Sequence, residues 1–285
     1  MNQPFNHVGT LYVVATPIGN LQDITFRALE VLKAADIIAA EDTRHSATLL
    51  NHFAIQTKLT ALHEHNERSA GEKLIAKMQA GQSVALISDA GTPAISDPGA
   101  LLVNLAHQAG IRVVPIPGAN AAIAALSASG LLMPRFLFIG FLPAKSSHRK
   151  QALETLNDVP VTLVFYEAPH RVLESVQDLI TVLGGERAIT FARELTKTFE
   201  TIHHCKLSEA LDWLQNDPNQ QRGEFVLLVE GAPQAEAEEI DHDTRRILET
   251  LLSELPLKQA VKLAADISGA KKNALYELAL TLKPT

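Results

Sequence analysis

The residues best equipped for chemistry sit in short polar runs, each at the end of an apolar stretch. Glu41-Asp-Thr-Arg44 places two carboxylates, a hydroxyl and a guanidinium within four positions. Such a set can orient a substrate hydroxyl or grip a phosphate. Asp42 or Thr43 could equally cap a helix that begins there. The run Ser88-Asp-Ala-Gly-Thr-Pro-Ala-Ile-Ser-Asp-Pro-Gly99 combines two glycines, two prolines and two aspartates. A loop so constrained fixes the directions of its backbone groups and can hold a small molecule through the main chain, with Asp89 adding one negative charge. Turn chemistry alone would use the same residue types. Tyr166-Glu167, with Arg171 nearby, and Arg193-Glu194 each close an apolar run with charge. Such pairs can face a cleft or simply form a solvated edge. Gly223 opens the last apolar run, where a missing side chain permits close approach by a ligand.

The elements that must position these residues follow from hydrophobic periodicity. Strands are expected at 11–15, 37–40, 84–87 and 111–115, and helices at 25–34, 44–53, 67–79 and 99–109. This alternation predicts a mostly parallel sheet covered on both faces. Thr16-Pro-Ile-Gly-Asn20, Ser88–Gly99 and Pro117-Gly-Ala-Asn120 then all lie at strand ends, where open α/β sheets bind ligands. A second α/β domain is expected from helix 120–129, strand 136–141, helix 148–157, strand 161–166, helix 171–183, strands 188–193 and 199–204, helix 207–215 and strand 224–230. Strands 188–193 and 199–204 are joined too closely for a crossover, so they should pair antiparallel. The predicted boundaries are 1–117 and 118–232 for the two α/β domains. An acidic linker at 233–243 follows, then a helical domain at 244–285 that resembles a helix-turn-helix around Ser268-Gly269.

Composition narrows the function classes. The chain has 285 residues, 46% hydrophobic and 20% charged, which describes a globular protein. No apolar run reaches the roughly 20 residues of a membrane helix, and the first residues lack a secretory pattern. A single cysteine, Cys205, suits a reducing compartment, so a cytoplasmic location without membrane association is expected. G-x-G-x-x-G, the P-loop and the G-x-S-x-G elbow are all missing. His63-Glu-His65 and His203-His204 lack a third ligand at a recognised metal spacing, so no metal site is expected. The formal charge of −7 argues against non-specific coating of nucleic acid. Two basic stretches run against it. Arg135, Lys145, Arg149 and Lys150 form one without intervening acids, and Lys258, Lys262, Lys271, Lys272 and Lys283 form the other. Either can contact RNA or be a solvated face.

Taken together, Leu11–Leu21, the Glu41–Arg44 run, the Ser88–Gly99 loop, Pro117-Gly118, Phe165-Tyr-Glu167, Ala192–Lys197 and Gly223-Glu224 occur in the order found in the tetrapyrrole methylase superfamily. The chain most resembles its ribosomal branch, the 16S rRNA (cytidine-2′-O)-methyltransferases, over essentially its whole length. One departure is Ala119, where the resemblance leads us to expect a second proline.

The resemblance implies two α/β domains with S-adenosyl-L-methionine in the cleft between them, assembled as a homodimer. It implies methylation of the ribose 2′-oxygen of a decoding-centre cytidine, position 1402 of 16S rRNA, within the small ribosomal subunit. The cofactor site would draw on Pro17, Gly19, Asp89, Gly91 and Pro93, and on Gly118, Ala121, Ser127, Tyr166 and Gly223. For chemistry, Asp42 or Glu167 would act as the base and Arg44 or Arg193 would hold a phosphate, with Glu194 as a further candidate. Two other functions fit parts of the chain: a precorrin-type tetrapyrrole methylase, and a non-enzymatic nucleic-acid-binding regulator using the C-terminal helices.

Overall fold

The computed structural model describes residues 9–233 and 241–282. They fall in two compact units that divide after Gly231. The first unit contains two five-stranded sheets.

In the first sheet, β1 (Thr10–Val14), β2 (Ile37–Ala40), β3 (Lys58–Ala61), β4 (Val84–Ile87) and β5 (Arg112–Ile116) are ordered β3-β2-β4-β1-β5. Every pairing is parallel. Helices α1 (Phe26–Ala34), α2 (Thr43–His52), α3 (Glu67–Gln79) and α4 (Ala100–Gln108) alternate with them. Leu32 of α1 and Leu50 of α2 pack with Ile38 and Ile87 on one face. Leu74 and Met78 of α3 and Leu102 of α4 pack with Ile37 and Leu86 on the other. Strands covered on both sides must be apolar at every position, and Ile-Ile-Ala-Ala and Val-Ala-Leu-Ile are buried throughout. β3 was not expected. Its Lys-Leu-Thr-Ala sequence is polar because it is an edge strand with no fully buried residue.

The second sheet orders β6 (Phe136–Phe141), β7 (Thr162–Glu167), β8 (Ala188–Arg193), β9 (Thr201–Lys206) and β10 (Phe225–Val229) as β6-β7-β10-β8-β9. β6 and β7 are parallel, and β10 runs antiparallel between β7 and β8. β8 and β9 form the expected antiparallel pair. Helix α5 (Ala121–Ala128) covers one face, against Val164, Val226 and Leu228. Helices α6 (Ser146–Glu154), α7 (Val172–Leu183) and α8 (Leu207–Asn216) cover the other, around Phe165, Phe191 and Leu227.

The second unit contains α9 (His242–Glu254), α10 (Leu257–Ser268) and α11 (Lys272–Leu282). Leu248, Val261, Ala264 and Leu275 form its core. Gly269 ends α10 in the left-handed conformation, with φ of 75°, and donates its N–H to the Ala265 carbonyl. That geometry turns the chain sharply into α11. Asp241 caps α9, and Asp243 lies in its first turn. The rest of the expected acidic linker, including Glu236, Glu238 and Glu239, lies outside the described residues, as does Lys283. Among the described residues no helix is long and apolar enough to cross a membrane.

Candidate active site

Strand polarity brings the polar loops of the first sheet to one end. The carboxyl ends of β1 and β4 are tied by a reciprocal pair of backbone hydrogen bonds: Thr16 N–H donates to Gly91 O (2.8 Å), and Gly91 N–H donates to Thr16 O (3.1 Å). The Thr16 hydroxyl adds a bond to Ser88 O (3.3 Å). Thr92 Oγ1 donates to Ala119 O (3.1 Å), which fastens the same loop to the segment after β5. The Ser88–Gly99 loop takes positive φ at Gly91, Ala94, Ser96 and Gly99. Ala94 and Ser96 adopt that region at a conformational cost, which the surrounding bonds must offset. Gly99 is required twice over. Its φ is +124°, and a Cβ there would lie 2.7 Å from Leu86 Cδ2. Glu67 of α3 accepts from Gly99 N–H (2.8 Å) and Leu101 N–H (2.9 Å), serving donors that α4 leaves open at its start.

These loops and the ends of β7, β8 and β10 enclose a cavity of about 540 Å3. Asp89, Gly91, Ala121 and Tyr166, four of the expected cofactor residues, line it. Four further titratable lining groups carry no site role in the sequence reading: Glu41, Asp97, His170 and Glu224. Burial raises the Glu41 carboxyl above the usual carboxylate range, and the charges of Asp97 and Asp89 add to the rise. Burial likewise raises Asp97, tempered by the Ser88 hydroxyl and reinforced by Asp89. The Tyr166 phenol is raised chiefly by burial. Its ring meets Phe138 and Phe141 edge-on, at centroid distances of 5.0 and 5.7 Å. No lysine or arginine lines the cavity among the described residues. Among those residues no His, Cys, Asp or Glu cluster is arranged to hold a metal ion.

Several residues expected to do chemistry are committed to structure instead. Asp42 caps α2, accepting from Arg44 N–H (2.8 Å) and His45 N–H (3.4 Å), and the first of these bonds holds its carboxyl below the usual range. Arg44 projects into solvent, 3.6 Å from Asp42. Glu167 touches the cavity, but its carboxylate is buried and fully engaged: it accepts from Ala168 N–H, Arg171 Nε and the Ser175 hydroxyl. Arg193 does not reach out for a phosphate. Its buried guanidinium donates to the carbonyls of Arg222 and Phe199 (3.1 Å each) and to Thr201 Oγ1 (3.2 Å). Glu194 accepts from Lys197 Nζ (2.8 Å) and Glu224 N–H (2.9 Å).

The remaining glycines and prolines assigned to the cofactor are not among the residues that line the cavity. A Cβ on Gly19 would meet Lys197 Cγ at 2.6 Å, one on Gly118 would meet Ala15 Cβ at 2.9 Å, and one on Gly223 would meet Glu194 Cγ at 2.3 Å. Close packing of loops therefore explains these three. Pro17 and Pro93 flank the Thr16–Gly91 bridge. Ser127 is exposed on α5 and donates to Ala124 O (2.8 Å).

The basic stretch 135–150 divides. Arg135 and Lys145 are exposed, and Lys150 is half-buried with Nζ 3.4 Å from Asp178. Arg149 is fully buried, so its expected contact with RNA is corrected. Its Nε donates to Asp178 Oδ2 (2.7 Å) and its Nη1 to Pro143 O and Ala144 O, which pins α6 to α7. In the second unit Lys258, Lys262, Lys271 and Lys272 are exposed. Lys258 and Lys262 are four residues apart and share a face of α10.

Comparison with known proteins adds three findings. Residues 10–211 match the family described as Tetrapyrrole (Corrin/Porphyrin) Methylases, and residues 238–283 match the RsmI C-terminal HTH domain. The chain is 57% identical over 275 residues to "Ribosomal RNA small subunit methyltransferase I" of Escherichia coli, spanning 96% of each protein. It is 58% identical over 274 residues to the protein of that name from Pseudomonas aeruginosa, spanning 95% of this chain and 97% of the relative. Solved structures share the fold at lower identity. Uroporphyrin-III C-methyl transferase from Thermus thermophilus, complexed with S-adenyl homocysteine, superposes with a TM-score of 0.54 at 19% identity, covering 78% of this chain and 97% of that one. Cobalt precorrin-4 methyltransferase gives 0.58 at 16%, covering 79% and 97%.

Proposed function

The chain belongs to the tetrapyrrole methylase family, and we propose that it transfers the methyl group of S-adenosylmethionine to the ribose 2′-oxygen of a decoding-centre cytidine in 16S rRNA. The observation that carries the proposal is the identity of 57–58% to small-subunit rRNA methyltransferases over nearly the whole length. The chemistry of the cavity suits the cofactor. S-adenosylmethionine is a cation by virtue of its sulfonium, and this cavity offers Glu41, Asp89 and Asp97 without a lysine or arginine among its described lining residues. A precorrin-type substrate, rich in carboxylates, would find no cationic partner on those walls. A non-enzymatic regulator would leave the cavity without a purpose.

When bound, S-adenosylmethionine supplies the methyl carbon and a leaving sulfur that becomes neutral, so the protein has no anionic leaving group to stabilise. Asp89 and Gly91 in the β4 loop, and Ala121 and Tyr166 opposite, would hold and orient the cofactor. Their work is alignment, because in-line displacement requires the 2′-oxygen and the methyl carbon at near-contact distance. The acidic walls keep phosphates at the rim, so the exposed Arg135, Lys145, Lys258 and Lys262 are the groups suited to the RNA backbone. We assign the assembled subunit as substrate, the cytoplasm as location and a homodimer as the working form. Phe136, Leu137 and Phe141 are exposed on the edge strand β6 and favour burial against a second copy.

Tritiated S-adenosylmethionine, offered with unmethylated small subunits or with naked 16S rRNA, tests the proposal. A 2′-O-methylcytidine in the digested product is the expected result. A base-methylated nucleoside, or no transfer to either RNA, would overturn it. Sedimentation of the purified chain as a monomer would remove the homodimer.

A further inference from the structure

A ribose hydroxyl is a weak nucleophile until its proton is taken, yet both carboxylates first suited to that task are engaged elsewhere. Asp42 caps a helix, and Glu167 accepts three hydrogen bonds. The other titratable groups around the cavity divide by what they touch. Asp89 accepts from Asp42 N–H (3.1 Å). Glu41 accepts in turn from Asp89 N–H. The Ser88 hydroxyl, which donates to Ala90 O (3.2 Å), tempers the rise of the Asp97 carboxyl. These three hold the strand ends of the first sheet and suit the cationic cofactor. Glu224 is paired with Lys197 (3.0 Å). Tyr166 is a phenol raised by burial.

His170 differs from all of them. It is the one imidazole among the described lining residues, it is exposed to solvent, and it has no hydrogen-bond or ion-pair partner among the described residues. The residues on either side of it, by contrast, are held in place. On one side Glu167 is bonded to the Ala168 N–H, and on the other Arg171 returns to Glu167 Oε1 (2.8 Å) and to the Leu142 carbonyl (2.9 Å). Arg171 N–H also donates to Ala168 O (3.0 Å), closing the turn. A buried carboxylate and its guanidinium thus flank a short loop, Ala168–His170, that presents a free imidazole at the cavity.

We infer that His170 is the general base that takes the 2′-hydroxyl proton, with the Glu167–Arg171 pair as its positioning support. This inference rests on the methyl-transfer reading above. In the step, the 2′-oxygen forms its bond to the methyl carbon as the carbon–sulfur bond breaks. The O–H proton passes to the unprotonated ring nitrogen, and the sulfur departs as a neutral thioether. The imidazolium then returns its proton to solvent, to which the ring is open. An imidazole is the side-chain type best matched to a base at neutral pH.

Single-turnover methylation of small subunits by the full chain tests this, comparing wild type with His170→Ala and Asp97→Asn. His170→Ala should lose about 10²–10⁴-fold in rate. Its affinity for S-adenosylmethionine and its thermal midpoint should match wild type. The acid limb of its pH–rate profile should flatten, and added imidazole should restore part of the rate to this variant and not to wild type. A His170→Ala protein with wild-type rate overturns the inference, as does one whose loss is not rescued and whose acid limb persists. Flattening of that limb in Asp97→Asn alone would transfer the role to Asp97. If the wild-type chain binds S-adenosylhomocysteine yet methylates no RNA, the functional reading falls and the inference with it. Active wild type beside an equally active His170→Ala sinks the inference alone.

Discussion

Asp89 carries two duties that a single substitution can separate. Its Oδ1 accepts from Asp42 N–H, and its charge faces the cavity. Asp89→Asn keeps an acceptor and removes the charge. Calorimetry should show S-adenosylmethionine binding weakened about tenfold, or ~1.4 kcal/mol, with an unchanged melting temperature. Glu41 and Asp97 make binding depend on pH, with a sign that follows from their raised carboxyls. A cation in the cavity favours their ionised forms, so binding should release protons. Affinity should therefore fall as pH drops through the raised range just above ordinary carboxyl values. For folding the sign is reversed: the native state holds these protons more tightly than the unfolded chain, so these two groups favour the fold more as pH falls through that range. Calorimetry in buffers of different ionisation enthalpy reads the proton release directly. The sequence showed the Glu41–Arg44 run but not which carboxylate enters the cavity. Neighbouring residues on extended backbone point to opposite sides. Once Asp42 turns back to cap α2, Glu41 faces the cavity. His170 is not legible in the sequence, because nothing in Ala168-Pro-His170 marks a side chain as free until its neighbours are seen to be bound.

Helix α6 shows how a basic run can mislead. Arg135–Lys150 reads as a surface because it contains no acid, but the balancing acid is Asp178, on α7. Only the packing of two helices reveals the pair. The two kinds of residue should separate in experiment. Arg149→Met leaves Asp178 without its closest partner and should cost about 3 kcal/mol of stability, with RNA affinity intact in the folded fraction. Lys145→Ala should leave chemical denaturation unchanged while lowering the slope of log K against log salt by about one. Equal stability of the two variants would refute the assignment of Arg149 to the core. The strands were more legible than this helix. β2 and β4 announce themselves by unbroken apolar runs, and the β8–β9 hairpin by its short connection. β3 carried no such pattern, since an edge strand need not be apolar.

At the scale of the molecule, both sheets, and every residue assigned to the cavity, precede Gly231. A chain ending at Gly231 should fold, bind S-adenosylmethionine as tightly as the intact protein, and lose most of its activity on small subunits. Full activity in the truncated protein would leave α9–α11 without a part in RNA recognition. The bridge between Thr16 and Gly91 has one more consequence. It joins positions 75 residues apart through two backbone bonds that share one register. Lengthening either loop by a single residue would turn one partner's N–H away and break both bonds together. Loop length here is therefore as fixed as residue identity. Insertions and deletions that the fold can absorb belong in connections outside this bridge, and a search for distant members of the family gains more from penalising gaps at these two loops than from weighting their side chains.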